Sequence, residues 1–148
     1  MDRYLTDQEK LLAKSLLKNI DFLKDLPDPE LDQLANSLEK KNFKPEQTVV
    51  FQGEISSKLY IVCDGLVGVF VRIGGEKKKV AELRVGDYFG EMSLLEPATA
   101  SATIRAEKPS VICAISCDNF KKIVEKNTVA LETLKKKITA RKEASKPK

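Results

Sequence analysis

All seven glycines of this 148-residue chain fall between Gly53 and Gly90. Glycine is the residue that enters tight turns and left-handed backbone without steric cost, and it weakens helix interiors. A chain that confines it to one central stretch has turns there and helices elsewhere. The expected order is therefore helix, glycine-punctuated strand region, helix.

The flanks carry helix signals. Thr6-Asp7-Gln8-Glu9 has the form of a capping box, and Leu12, Leu16 and Ile20 follow at helical spacing, so a first helix is expected from about Asp7. Asp28-Pro29 reads as an N-cap with proline at the first helical position, followed by an apolar face of Leu31, Leu34 and Leu38 that ends near Lys40-Lys41. The two helices join around Phe22-Leu23-Lys24-Asp25-Leu26-Pro27. At the other end, Asp118 is expected to cap a helix through Phe120, Ile123 and Val124. Leu131, Leu134 and Ile138 continue the amphipathic spacing to about Arg141, beyond which the chain turns polar and lysine-rich.

Between these flanks the period changes. Thr48–Phe51, Lys58–Cys63, Leu66–Ile73, Lys79–Leu83, Thr103–Ala106 and Ser110–Ser116 read as short strands, with Gly74-Gly75 as a two-residue hairpin. Short strands at this spacing predict an α+β fold: an antiparallel β-roll or jelly roll (a double-stranded β-helix) with flanking N- and C-terminal helices. The expected divisions are helices over 1–44, the β-roll over 45–117, and helices with a basic tail over 118–148.

Composition narrows the function. The chain has no histidine, which removes His-dependent acid–base and nucleophilic catalysis and imidazole-ligated metal sites. A non-enzymatic chain without a metal or organic cofactor is the expectation. Cys63, Cys113 and Cys117 are odd in number and read as structural cytosolic thiols, with Cys113, Ile115 and Cys117 sharing one strand face. No apolar run reaches membrane-spanning length, and the N-terminus lacks the form of a signal peptide, so a cytoplasmic location is expected. Residues 121–148 hold ten Lys/Arg and three Glu, a charge of +7 within a chain of net +4. Lys135-Lys136-Lys137 spans both sides of its helix and reads as a solvated face, with an acidic partner or membrane surface as the alternative. Lys77-Lys78-Lys79 reads as a charged hairpin tip, and Tyr60 and Phe70 as core or sheet-surface aromatics. Only 24 residues follow Val124, too few for a helix-turn-helix, so no DNA-binding domain is expected.

Gly86-Asp87-Tyr88-Phe89-Gly90-Glu91-Met92-Ser93-Leu94-Leu95 is the most informative segment: a glycine turn delivering a short helix near Glu91 between two strand regions. It is not a Walker A loop, since no Gly-Lys-Ser/Thr follows. On spacing alone it reads as a tight turn and packed helix. Free N–H groups at the helix start offer the alternative, a site for an anion or sugar oxygens.

Five motifs occur in order here: Phe22-Leu23, Gly53-Glu54, Leu59-Tyr60-Ile61-Val62-x-x-Gly65, Gly86-Asp87-x-Phe89-Gly90-Glu91, and Ala102-Thr103-Ile104-Arg105-Ala106. Together they resemble the cyclic nucleotide-binding domain of catabolite-activator-type regulators, cyclic-AMP-dependent kinase regulatory subunits and nucleotide-gated channels. The resemblance covers about Phe22 to Val124, and its phosphate-binding cassette matches from Phe89 to Ala106, within 86–106. The resemblance implies that Glu91 accepts the ribose 2′-hydroxyl, and that the amides of Gly90, Met92 and Ser93 approach ribose and phosphate. It places Ser101, Ala102 and Thr103 at the phosphate end. Leu131, Leu134 and Ile138 fall where the last helix forms a lid, with core packing or a dimer seam as alternatives. One position departs: the family's phosphate-pairing arginine is Ala100 here, and no Lys or Arg occurs between Glu91 and Arg105. Arg105 matches a structural position, from which it could hold Glu91 as an ion pair.

Losing one member of such a pair costs roughly 2–5 kcal/mol, or about thirty-fold to a few thousand-fold in affinity. The expectation is a sensor or regulatory module with weakened cAMP or cGMP binding. The alternatives are a site for a neutral nucleoside and a ligand-free scaffold for protein association. In each case a protein partner or a larger parent chain supplies the readout.

Overall fold

The computed structural model describes residues 5–21, 23–24, 26–93 and 98–145; the side chains of Met92, Ile138 and residues 141–145 lie outside that description. Two helices come first, α1 (Asp7–Lys18) and α2 (Asp28–Ser37). Ten strands follow: β1 (Glu39–Phe43), β2 (Thr48–Val50), β3 (Ile55–Ser56), β4 (Lys58–Asp64), β5 (Leu66–Ile73), β6 (Glu76–Arg84), β7 (Tyr88–Phe89), β8 (Ala98–Thr99), β9 (Thr103–Ala106) and β10 (Ser110–Ser116). A 3₁₀ turn, Glu91–Ser93, lies between β7 and β8, and α3 (Cys117–Val124) and α4 (Thr128–Ser145) close the chain.

The strands form two four-stranded sheets, β1-β10-β4-β7 and β2-β9-β5-β6, and a two-stranded ribbon, β3-β8. Every pairing is antiparallel. This is the expected β-roll with flanking helices. The β5–β6 hairpin turns on Gly74 and Gly75, both at positive φ (59° and 85°), as a two-residue loop with the hand of the strand twist demands.

Two apolar cores result. Between the sheets, Phe43, Val50, Val62, Val67, Ile104, Ala106 and Ile112 pack together. On the other side of the β1-β10-β4-β7 sheet, all four helices share a core with Leu59, Ile61, Cys113 and Ile115. β4 feeds both, because successive side chains of a strand point to opposite faces.

Several expectations are corrected. The capping box at Thr6 and Glu9 forms, but Leu12 is 50% exposed and the buried face of α1 is Ala13, Leu16 and Leu17. The N-cap of α2 is Pro27, with Asp28 and Pro29 as its first two helical residues. That helix stops at Ser37 and not at Lys40-Lys41, because Glu39–Phe43 pairs residue for residue with β10. Strand pairing outweighs the helix propensity of Leu-Glu-Lys-Lys, which is worth only tenths of a kcal/mol per residue. Ser116, not Asp118, caps α3 by accepting from the Asn119 amide (3.1 Å), so Cys117 starts a helix and does not end the strand. The final helix is two helices: Asn127 Oδ1 accepts from the Ala130 N–H (3.0 Å) and starts α4 afresh. Phe22 of the expected Phe22-Leu23 lead-in lies outside the described residues, as do Leu94 and Leu95.

Candidate functional site

Gly90 determines how the 86–93 segment lies on the roll. Its φ is +88°, and a Cβ there would sit 2.6 Å from the carbonyl oxygen of Lys58, so the segment passes directly over β4. The preceding residues are strapped to the same strand. The Val62 N–H donates to Asp87 O and the Gly86 N–H to Val62 O, both at 2.9 Å, while Phe89 lies opposite Tyr60 and Tyr88 opposite Ile61. The Tyr60 and Phe89 rings stack, with centroids 4.8 Å apart. Beyond Gly90 the Ser93 N–H donates to Gly90 O (3.0 Å), which forms the short 3₁₀ turn that carries Glu91 inward.

The far end of the cassette is fastened to the loop before β3. The Ala100 N–H donates to Glu54 O (2.8 Å) and the Gly53 N–H to Ala100 O (2.9 Å), while Ile55 pairs with Thr99 and Ser56 with Ala98. This holds residues 98–102 as a wall facing the Glu91 turn.

Between these two walls lies a cavity of about 210 Å³ lined by Val50, Ser56, Tyr60, Val69, Leu83, Tyr88, Phe89, Gly90, Glu91, Ser93, Ala98, Thr99, Ala100, Ser101, Ala102 and Ile104. Of the residues singled out in the sequence, Phe89, Gly90, Glu91, Ser93, Ala100, Ser101 and Ala102 meet there. Thr103 does not line it: its Oγ1 accepts from the Gln52 N–H (2.9 Å). The Met92 and Ile138 side chains lie outside the description. Leu134 is fully buried in the helical core, and Leu131 packs against that core. Sequence reasoning missed the sheet residues of the wall, Val50, Ser56, Tyr60, Val69, Leu83 and Ile104, together with Tyr88, Ala98 and Thr99. The pattern inside Lys58–Cys63 held the clue for Tyr60, which sits on the strand face opposite Leu59 and Ile61.

Glu91 is 1% exposed, and among the described residues that line the space there is no Lys or Arg. Arg105 is not among the lining residues: its neighbour Ile104 lines the cavity, while its own guanidinium lies over the Phe70 ring, 4.4 Å from the centroid. Burial pushes the hydroxyls of Tyr60 and Tyr88 above their ordinary range, and that of Tyr88 donates to Asp21 Oδ1 (3.2 Å), away from the cavity. Among its described residues the site therefore combines the Glu91 carboxylate, the hydroxyls of Ser56, Ser93, Thr99 and Ser101, and an apolar floor. Such a lining can accept hydrogen bonds from hydroxyl donors and has apolar surface beside them. Its described residues include no cationic side chain to pair with an anion.

Among the described residues there is no cluster of three or more Cys, Asp or Glu suited to a metal ion, and no helix long and apolar enough to cross a membrane.

A family model described as the cyclic nucleotide-binding domain matches residues 40–127. The chain is 31% identical over 119 residues to a cAMP-dependent protein kinase regulatory subunit of Yarrowia lipolytica, covering 80% of this chain and 31% of that protein. Among solved structures, the regulatory domain of Toxoplasma gondii PKA with cAMP superposes with a TM-score of 0.75 at 23% identity, covering 82% of this chain and 46% of that one. The regulatory subunit of a cAMP-independent protein kinase A from Trypanosoma cruzi, bound to guanosine, superposes with a TM-score of 0.71 at 28% identity, covering 86% and 45%. The chain spans no more than about a third of the length of the curated relatives it matches.

Proposed function

This chain belongs to the cyclic nucleotide-binding domain family, and we propose that it is a non-catalytic sensor module whose cavity binds cyclic nucleotides weakly. The observation that carries this reading is the lining itself: a buried Glu91, with alanine at position 100 and, among the described residues of the wall, no Lys or Arg. The family's kinase regulatory subunits supply the class of output, a protein partner or a larger parent chain that reads the state of this domain in the cytoplasm. Without a guanidinium, a cyclic phosphate loses about thirty-fold to a few thousand-fold in affinity. Main-chain amides around Gly90 and Ser101 recover part of this, but an amide lacks the forked, charged geometry of arginine.

A second reading takes the same lining as fitted to an uncharged ligand. Glu91 would hold the ribose hydroxyls of a nucleoside, and the neutral hydroxyl wall would replace the phosphate contacts. The likeness to the guanosine-bound Trypanosoma cruzi subunit favours it.

Calorimetric titration separates the readings. The wild-type chain and Ala100→Arg are each titrated with cAMP, cGMP, adenosine and guanosine. Weak or silent cyclic nucleotides with the wild type, and a gain of at least thirty-fold in Ala100→Arg, support the first reading. Nucleoside binding by the wild type that exceeds its cyclic nucleotide binding supports the second. Cyclic nucleotide binding by the wild type below about 10 μM, near −7 kcal/mol, overturns the role assigned to Ala100. Silence from both folded proteins toward every ligand leaves the fold as a protein-association scaffold and overturns the sensing role.

A further inference from the structure

Away from the ligand cavity, β4 and β10 bring two thiols together. We propose that Cys63 and Cys113 form a reversible dithiol–disulfide site that is oxidised by hydroperoxides. Their Sγ atoms lie 2.8 Å apart. The strand register explains why. Val62 pairs with Ile112 and Asp64 with Val111, so Cys63 is the extra residue of a β-bulge, with no residue of its own opposite. A bulge re-aims the side chain it carries, and here the thiol is turned toward Cys113, which pairs with Ile61 on the same sheet face.

Access distinguishes this pair from an ordinary packed one. A separate cavity of about 300 Å³, under α1, is lined by both cysteines together with Leu5, Glu9, Leu12 and Lys40. Cys63 is half-buried while Cys113 is 1% exposed, so a small oxidant meets Cys63 first. The hydrogen bond between the two sulfurs holds Cys63 below the usual thiol range, whereas the same contact and burial push Cys113 up. The roles are thus unequal: Cys63 attacks and Cys113 resolves. Cys117 sits in α3 and does not line this cavity.

The chemistry balances with a hydroperoxide as oxidant. The Cys63 thiolate attacks the terminal peroxide oxygen, the O–O bond breaks, and the alcohol or water leaves, giving a sulfenic acid. Cys113 sulfur then attacks the Cys63 sulfur. The S–O bond breaks, hydroxide takes up the Cys113 proton and departs as water, and the S–S bond forms. Two thiols have lost two electrons and two protons, and the peroxide has gained them. A thiol reductant reverses the step by exchange.

The test treats the full, folded chain with stoichiometric hydrogen peroxide. Titratable thiols should fall from three to one, with loss of two hydrogens in the intact monomer mass and full recovery under reductant. Peptide mapping should link Cys63 to Cys113. In Cys113→Ala, Cys63 should stop at sulfenic acid and be trapped by a cyclic dione; the wild-type mapping decides the matter if that variant does not fold. A wild-type chain that keeps three thiols, links Cys117, or adds oxygen without losing two hydrogens would overturn the proposal.

Discussion

Replacing Gly90 or Gly53 by alanine tests how tightly the cassette is pinned to the roll. Both glycines sit at almost the same positive φ, +88° and +87°, so both substitutions carry a backbone cost of the same kind. That cost is about 1–2 kcal/mol, offset by about 0.4–1 kcal/mol from the reduced freedom of the unfolded chain. The surroundings differ. At Gly53 a Cβ meets nothing within 4 Å, whereas at Gly90 it meets the Lys58 carbonyl oxygen at 2.6 Å. Lys58 lies in a strand paired with β10, and the residues after it with β7, so the carbonyl has little room to retreat. Overpacking of this kind costs about 1–3 kcal/mol. Gly53→Ala should therefore lose about 1 kcal/mol, and Gly90→Ala about 2–4 kcal/mol. With an unfolding entropy of about 2 cal/mol/K per residue, the gap between the variants corresponds to roughly 3–10 °C in Tm. Thermal unfolding followed by circular dichroism reads it directly. Because Gly90 adjoins Glu91, Gly90→Ala should also lose more ligand affinity than Gly53→Ala. Equal melting temperatures for the two variants would refute the claim that β4 backs the cassette rigidly.

Leu134→Ala, at a fully buried position of α4 in the helical core, should cost about 2–5 kcal/mol in urea denaturation. The Lys40 ammonium, and next the Thr6 N–H, hold the Glu9 carboxyl below its ordinary value. Its contribution is present above about pH 4.5 and is lost as pH falls through the folded pKa, so Glu9→Gln should flatten the acid limb of stability against pH. Burial lowers the pKa of Lys137, but Asp21 and Tyr88 outweigh it and the net shift is upward. That contribution is full below about pH 10.5 and is lost as pH rises through the folded pKa; urea midpoints should converge for wild type and Lys137→Met at alkaline pH.

The features legible in the sequence were those with local causes. The capping box at Thr6, the Gly74-Gly75 hairpin and the bounds of β5, β9 and β10 follow from side-chain–backbone bonds, turn conformation and apolar runs. The two facing walls of the cavity were legible through the cassette motif, since Glu91 and Ala100 lie within one continuous segment. What escaped had non-local causes. Glu39-Lys40-Lys41-Asn42-Phe43 carries no strand alternation and becomes β1 only because β10 offers it a free edge. The bridges β3, β7 and β8 are two residues each, with no periodicity to read. Val50, Val69 and Leu83 join the cavity from strands whose arrangement only the folded sheet reveals. The pairing of Cys63 with Cys113 likewise depends on a bulge that no spacing rule announces.

β4 has two allegiances along one stretch of backbone: Leu59 and Ile61 belong to the helices, and Tyr60 and Val62 to the space between the sheets. Neighbouring residues in sequence therefore lie in separate mutational neighbourhoods. Changes on the Tyr60 face exchange volume with the cassette, while changes on the Leu59 face exchange volume with α1–α4. Substitutions that share no partners combine almost additively. Changes on the two faces of β4 are thus largely separable, with Tyr88 as the point of contact between them, since it lines the cavity and also packs against the helical core. Such a division lets the cavity lining change in chemistry while the packing that holds the four helices to the roll is kept.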